Sequence, residues 1–239
     1  MGADQKPGQL PLALRFPPDQ RFDTFVAADP ATLAPLRQLL EGRGDGCVFV
    51  AGAAGSGKTH LAIATCAALQ ERGVETAYLP LASASGRLAE ALKGLHASAL
   101  VAVDGVERIA GDRDDEVALF DFHNRVRDAG GALAYTARDW PDALPLVLPD
   151  LRSRLAQGAR VALAPLDDAG RAQLLRLRAQ RRGLQLEPAA IDWLLRRVGR
   201  DVAGLAGLLD RLDRAALAAQ RRITVPFLRE VLGPRGESS

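Results

Sequence analysis

Residues Gly52 to Thr59 read G-A-A-G-S-G-K-T, a spacing of glycines, lysine and threonine that suits the holding of phosphate groups. The octet fits G-x-x-x-x-G-K-[ST]. Glycines at 52, 55 and 57 let the backbone turn tightly enough for its N–H groups to converge on phosphate oxygens. A helix that begins there adds the positive end of its dipole. Lys58 is placed to reach the outer phosphates and the Thr59 hydroxyl to hold Mg²⁺; Ser56 and His60 complete the expected nucleotide contacts. Composition singles out the same lysine. The chain has 31 Lys plus Arg, yet lysine occurs only at positions 6, 58 and 93. A compact ammonium stands where a planar guanidinium would not fit.

Asp104 is the second candidate. It follows Ala99-Leu100-Val101-Ala102-Val103, so it stands at the carboxyl end of a buried strand, where ligands of parallel sheets bind. Beside a phosphate loop such a carboxylate shares Mg²⁺ with Thr59. Hydrolytic enzymes of this type usually carry a second acid immediately afterwards to orient water. That place is Gly105, and Glu107 follows on a segment whose direction the sequence leaves open. The site is equipped to bind nucleotide and magnesium and poorly equipped to hydrolyse.

These residues need strands and helices to place them. Cys47 to Ala51 reads as a buried strand leading into the loop, and the amphipathic pattern from Leu61 to Leu69 as the helix leading out. Further strands are expected at Thr76–Leu79, Ala99–Val103, Ala132–Thr136 and Arg160–Ala164, with helices at Arg87–Leu95 and Asp112–Asp128 between them. Alternation of this kind predicts an α/β fold, a parallel sheet flanked by helices. From Pro165 the pattern becomes helical only: Asp167–Arg182, Glu187–Val198, Asp201–Arg221 and a short helix near Pro226 capped by Thr224. The expected organisation is a flexible arm over 1–18, the α/β core over 19–165, a small all-helical lid over 166–233 and a polar tail over 234–239.

Composition narrows the class. Among 239 residues, 48% are hydrophobic and 25% charged, as in a globular protein. No run of eighteen apolar residues is present, which speaks against a membrane span, and the absence of a signal-like N-terminus predicts a cytoplasmic location. A net charge of +2 is too mild to argue by itself for nucleic-acid binding. The pairs Arg181-Arg182, Arg196-Arg197 and Arg221-Arg222 read as solvated surface. Cys47 and Cys66 read as buried free thiols, and His60, His96 and His123 lack metal-ligand spacing.

Phosphate loop, Asp104 strand, the run L-P-D-L-R-S-R-L from Leu148 to Leu155 and the helical lid together resemble the AAA+ domain of the bacterial initiator DnaA, over roughly residues 20–232. The sequence stops where the initiator's helix-turn-helix domain would follow. With the N-terminal Gln9-Leu10-Pro11-Leu12-Ala13-Leu14, this makes the chain similar to the Hda group of DnaA-related regulators. The resemblance implies a P-loop AAA+ fold that holds ADP (or ATP) with Mg²⁺. It also implies a Q-L-x-L-x-L arm that docks on the β sliding clamp of DNA polymerase III. There the Gln9 amide would give directional hydrogen bonds, and Leu10, Leu12 and Leu14 apolar anchors in a groove. DNA would be met only indirectly, through the clamp. The implied task is negative regulation of replication initiation, by stimulating hydrolysis of the ATP bound to DnaA. Arg154, in the Ser-Arg after L-P-D-L, takes the place of the arginine finger supplied in trans, with Arg152 as the alternative. Self-association of such domains stays open as a further partnership.

Two positions depart from the family pattern. A lid arginine that senses the γ-phosphate is replaced in Val202-Ala203-Gly204-Leu205 by Ala203, with Arg200 one helical turn earlier as a substitute. In Thr136-Ala137-Arg138-Asp139, Arg138 stands where an acid is usual. Losing the lid arginine suits a protein that keeps ADP as a structural ligand and turns over little ATP itself. The rival readings are an active ATPase of the helicase-loader or replication type, and a clamp-binding module with a vestigial pocket.

Overall fold

The computed structural model describes residues 16–17, 19–93, 95, 99–197, 212 and 223–233. Its core is one parallel sheet of five strands: β1 (Cys47–Gly52), β2 (Thr76–Pro80), β3 (Leu100–Asp104), β4 (Ala132–Ala137) and β5 (Ala159–Leu163). The strands lie in the order β2-β3-β4-β1-β5. Side chains alternate along each strand, so Phe49, Val101, Val103, Leu133 and Tyr135 fill one face and Val48, Val50, Leu100, Ala102 and Ala134 the other. The first face is covered by α3 (Leu88–Lys93), α4 (Arg113–Asp128) and α5 (Pro149–Ala156). The second is covered by α1 (Ala34–Leu40) and α2 (Lys58–Gln70). Both faces are thus dry, as a parallel sheet requires.

Local chemistry sets the helix starts. Asp112 accepts hydrogen bonds from the N–H groups of Asp114 and Asp115 at the head of α4, and Asp167 does the same for Gly170 at the head of α6 (Asp168–Arg181). On α4, Leu119, Phe122 and Val126 are buried, whereas Val117, apolar as it is, faces solvent. α5 has no cap of its own, since Leu148 precedes Pro149 there. The fully buried Glu116 of α4 supplies one. Its carboxylate accepts from the N–H groups of Gly111 (2.8 Å), Val147 (3.0 Å) and Leu148 (2.7 Å). A buried charge is stable when its lone pairs are filled in this way.

The lid has its own core. α6 and α7 (Pro188–Arg197) pack with Leu212 and with the helix Val225–Leu232, which Thr224 caps as expected, around Leu175, Ile191, Leu194, Phe227 and Leu228. The expected helix over 201–221, with Arg200 and Ala203, lies outside the described residues apart from Leu212. So do His96, the clamp-peptide residues Gln9, Leu10, Leu12 and Leu14, and the tail.

Two expectations need correction, and one stretch of structure was not expected. Phe16, counted within the arm, is buried against Leu33, Leu36 and the second sheet face, so the core begins before residue 19. The segment from Phe22 to Leu40 forms two 3-10 turns and α1, none of which the sequence pattern marked. Arg181 and Arg182 are not free surface: they pair with Asp23 (3.4 Å) and Asp19 (3.2 Å) of the N-terminal segment and tie the lid to the core.

Candidate functional site

The loop Gly52–Gly57 leaves the carboxyl end of β1 and enters α2 at Lys58. Gly57 is the N-cap of α2 with φ +95°, the left-handed region that only glycine adopts freely. A Cβ there would also lie 2.6 Å from the Phe25 ring. Thr24, Phe25 and Ala27, the loop, His60, Leu163 and the lid residues Leu174 and Arg178 line one cleft between core and lid.

The order β3-β4-β1 decides the rest of the site. β4 lies between the loop strand and the Asp104 strand, so Thr136 is in register with both Val50 and Asp104. Asp104 Oδ1 accepts from the Thr136 hydroxyl. Asp104 Oδ2 accepts from Thr59 Oγ1 at 2.7 Å and from the Tyr78 hydroxyl at 2.9 Å. Three hydroxyls from β2, β4 and α2 therefore aim one carboxylate. Tyr78 was not anticipated; it pairs with Ala102, two residues before Asp104, and its reach to that carboxylate follows from β2–β3 pairing, which no local pattern states.

Lys58 Nζ donates to the carbonyl oxygens of Gly52 (2.6 Å) and Ala53 (2.9 Å). Burial lowers its pKa, and the Glu107 and Asp104 carboxylates oppose that shift. His60 plays a supporting part. Its Nε2 donates to the Arg21 carbonyl at 2.8 Å, and its ring meets Phe25 edge-on at 5.3 Å, pinning the N-terminal segment to α2. Burial lowers its pKa as well.

The residues present fit a phosphate and a divalent cation. Ser56 Oγ is buried in the loop with no hydrogen-bond partner, a donor that a phosphate oxygen would satisfy. Thr59 and Asp104 bring a hydroxyl and a carboxylate to within 2.7 Å, and hard oxygen ligands of this kind suit Mg²⁺.

Arg154 is elsewhere. It lies in the last turn of α5, exposed, on a cavity of about 470 Å³ shared with Asp45, Cys47, His123, Asn124, Arg127, Asp128 and Gln157. Cys47 begins β1, whereas the phosphate loop leaves its other end. The two sites are thus a strand length apart, roughly 16 Å at 3.3 Å per residue. Arg152, the alternative finger, turns inward and donates to the Leu146 carbonyl.

With this geometry in place, the comparisons with known proteins are specific. Residues 168–232 match the family model described as the Hda lid domain. Domain III of the Thermotoga maritima replication initiation protein DnaA superposes with a TM-score of 0.77 at 21% identity, covering 91% of this chain and 97% of that one. The chain has a DnaA-like fold, and its residues 168–232 belong to the Hda lid family. AMPPCP-bound DnaA from Aquifex aeolicus matches with a TM-score of 0.68 at 21% identity, over 84% of this chain and 67% of that one. The Thermotoga maritima RuvB Holliday junction branch migration motor matches at 0.65 and 19%, over 89% and 71%. The DnaA-like fold thus joins an Hda-type lid. No described helix is long and apolar enough to cross a membrane.

Beside Arg154, His123 is buried and its Nδ1 lies 3.0 Å from the Tyr135 hydroxyl. Burial, with Arg154 and Arg127 nearby, lowers its pKa to about 4. The unfolded chain takes up this proton near pH 6.5 and the folded chain only near 4, so stability falls as pH drops through that window. The protein is expected to lose about 2 kcal/mol between pH 7 and 5 from this group. His123→Gln should flatten that slope in urea titrations at the two pH values.

Proposed function

We propose that this protein is a negative regulator of replication initiation: a nucleotide-loaded, clamp-tethered AAA+ protein that stimulates ATP hydrolysis by DnaA. The observation that carries the reading is the place of Arg154, exposed at the far end of β1 from the chain's own phosphate loop. A guanidinium so placed serves the nucleotide of a partner rather than its own. Lent across the boundary, it would stabilise the charge that develops on the transferred phosphoryl group. The inward hydrogen bond of Arg152 to Leu146 favours Arg154 for this role.

In its own cleft the protein holds ADP. The backbone from Gly52 to Gly57 wraps the phosphates, with Gly55 at the turn and Ser56 Oγ donating. Lys58 neutralises charge, His60 fixes the Phe25 wall of the cleft, and Thr59 and Asp104 hold magnesium. When bound, Mg²⁺ would bridge phosphate oxygens and offset their charge. Fold relatives support a nucleotide: DnaA structures of this fold are described as bound to AMPPCP. The arm's Gln9, Leu10, Leu12 and Leu14 dock on the β sliding clamp and keep the finger close to the initiator, so that a weak contact acts at high effective concentration.

The test is hydrolysis of initiator-bound ATP with and without this protein on clamp-loaded DNA; no acceleration would sink the reading. Lys58→Ala, which removes the charged donor to the phosphates, should weaken nucleotide binding by about a hundredfold in equilibrium titration. An active ATPase of the helicase-loader or replication type is the rival, favoured by Glu107 near Lys58. Turnover near about 10 per second without DnaA would establish it instead.

A further inference from the structure

The acid missing after Asp104 is present two residues beyond the gap. Gly105 has φ +87°, and its N–H donates to both the carbonyl (3.1 Å) and the hydroxyl (3.0 Å) of Thr136. That left-handed turn explains glycine at a place where an acid is usual. It starts one 3-10 turn, Val106–Arg108, anchored by the fully buried Val106. Glu107 faces β4 from this turn. Its Oε2 accepts from the Arg138 backbone N–H at 3.3 Å, and its Oε1 lies 3.5 Å from Arg138 Nε. The Glu107 side chain is 18% exposed and that of Arg138 55%.

Register places this pair beside the phosphate loop. Ala51 pairs with Ala137, so Arg138 stands at the level of Gly52, whose carbonyl holds Lys58 Nζ. The Glu107 carboxylate and the Lys58 ammonium thus share one end of β1 and β4. Glu107 is also the carboxylate that bears most on Lys58, ahead of Asp104.

We propose that Glu107 is a water-activating carboxylate masked by the Arg138 guanidinium, so that the chain's own hydrolysis is held down rather than lost. The inference rests on the nucleotide site proposed above. In the unmasked reaction a water oxygen attacks the terminal phosphorus of ATP. The bond from that phosphorus to the β–γ bridging oxygen breaks, its electron pair staying with ADP. The water's proton passes to Glu107 and then to solvent, leaving ADP and inorganic phosphate. With Oε1 against the guanidinium and Oε2 on the backbone N–H, the carboxylate is drawn toward Arg138 and its negative charge is offset, which weakens it as a base for water. Arg138→Ala frees Oε1 while the N–H still holds Oε2 in place.

The test uses the full chain without DnaA. Arg138→Ala should raise ATP turnover about fivefold, the scale of one exposed ion pair, and Glu107→Gln added to it should return turnover to the wild-type level or below. Hydrogen exchange at the Arg138 amide gives a reading independent of turnover: in nucleotide-free protein, Glu107→Ala should quicken it severalfold. Unchanged turnover in Arg138→Ala that still binds ATP would overturn the proposal, as would unchanged amide exchange. Loss of ATP binding in Arg138→Ala would overturn it too, making the guanidinium a nucleotide ligand rather than a mask. Failure of the wild-type protein to bind nucleotide is a separate result, and it removes the underlying site reading itself.

Discussion

Replacing Arg154 with alanine is expected to slow DnaA-bound ATP hydrolysis, measured with this protein present, by about a thousandfold at saturation. Nucleotide and clamp binding by the variant should be unchanged. The side chain is exposed, and its removal leaves Leu151 and Leu155, the buried contacts of α5, in place. A loss of function therefore cannot be traced to a loss of fold. Arg154→Lys should be nearly as impaired, because an ammonium keeps the charge but not the planar fork. Single-turnover hydrolysis of initiator-bound ATP, with the variant loaded on clamp and DNA, measures both. Stimulation retained by Arg154→Ala would transfer the role to another residue.

The second large effect is on stability. Glu116→Ala should cost about 3 kcal/mol, because it removes the fully buried carboxylate that accepts from the part-buried N–H groups of Gly111, Val147 and Leu148. For a chain of this length that corresponds to a drop in Tm of about 10 °C. Glu116→Gln should fall between, since one oxygen becomes an NH₂ that faces a donor. Differential scanning calorimetry would decide it, and a Tm within about 2 °C of wild type would show that the three amides find other partners. The consequence reaches function, for these amides hold the start of the helix that carries Arg154.

Much of this fold was readable from local pattern. The phosphate loop, the strand ending in Asp104 and the long α4 follow from spacing and period, and the structure places each within a residue or two of expectation. What escaped has one physical character: it depends on residues far apart in the chain. α5 is eight residues long and opens on Leu148-Pro149, so its cap comes from Glu116 rather than from its own sequence. The direction of Glu107 is set by a left-handed glycine and by Arg138 on another strand. Tyr78 reaches Asp104 only because β2 pairs with β3. α1 and its flanking turns are too short and too punctuated by Pro30 and Pro35 to show a helical period. The finger, the clamp peptide and the choice of ADP came from resemblance, and their tests remain functional ones.

Because the loop and Arg154 occupy opposite ends of β1, the molecule is directional. A head-to-tail joint that brings one copy's guanidinium to another's nucleotide joins unlike surfaces and runs in one direction. Unless such a row closes into a ring, one end keeps an unserved nucleotide and the other an idle arginine. If Arg154 serves DnaA as proposed, a one-to-one complex would occupy the donor end and leave this chain's own nucleotide without help, so the partner would be discharged while this chain stayed loaded.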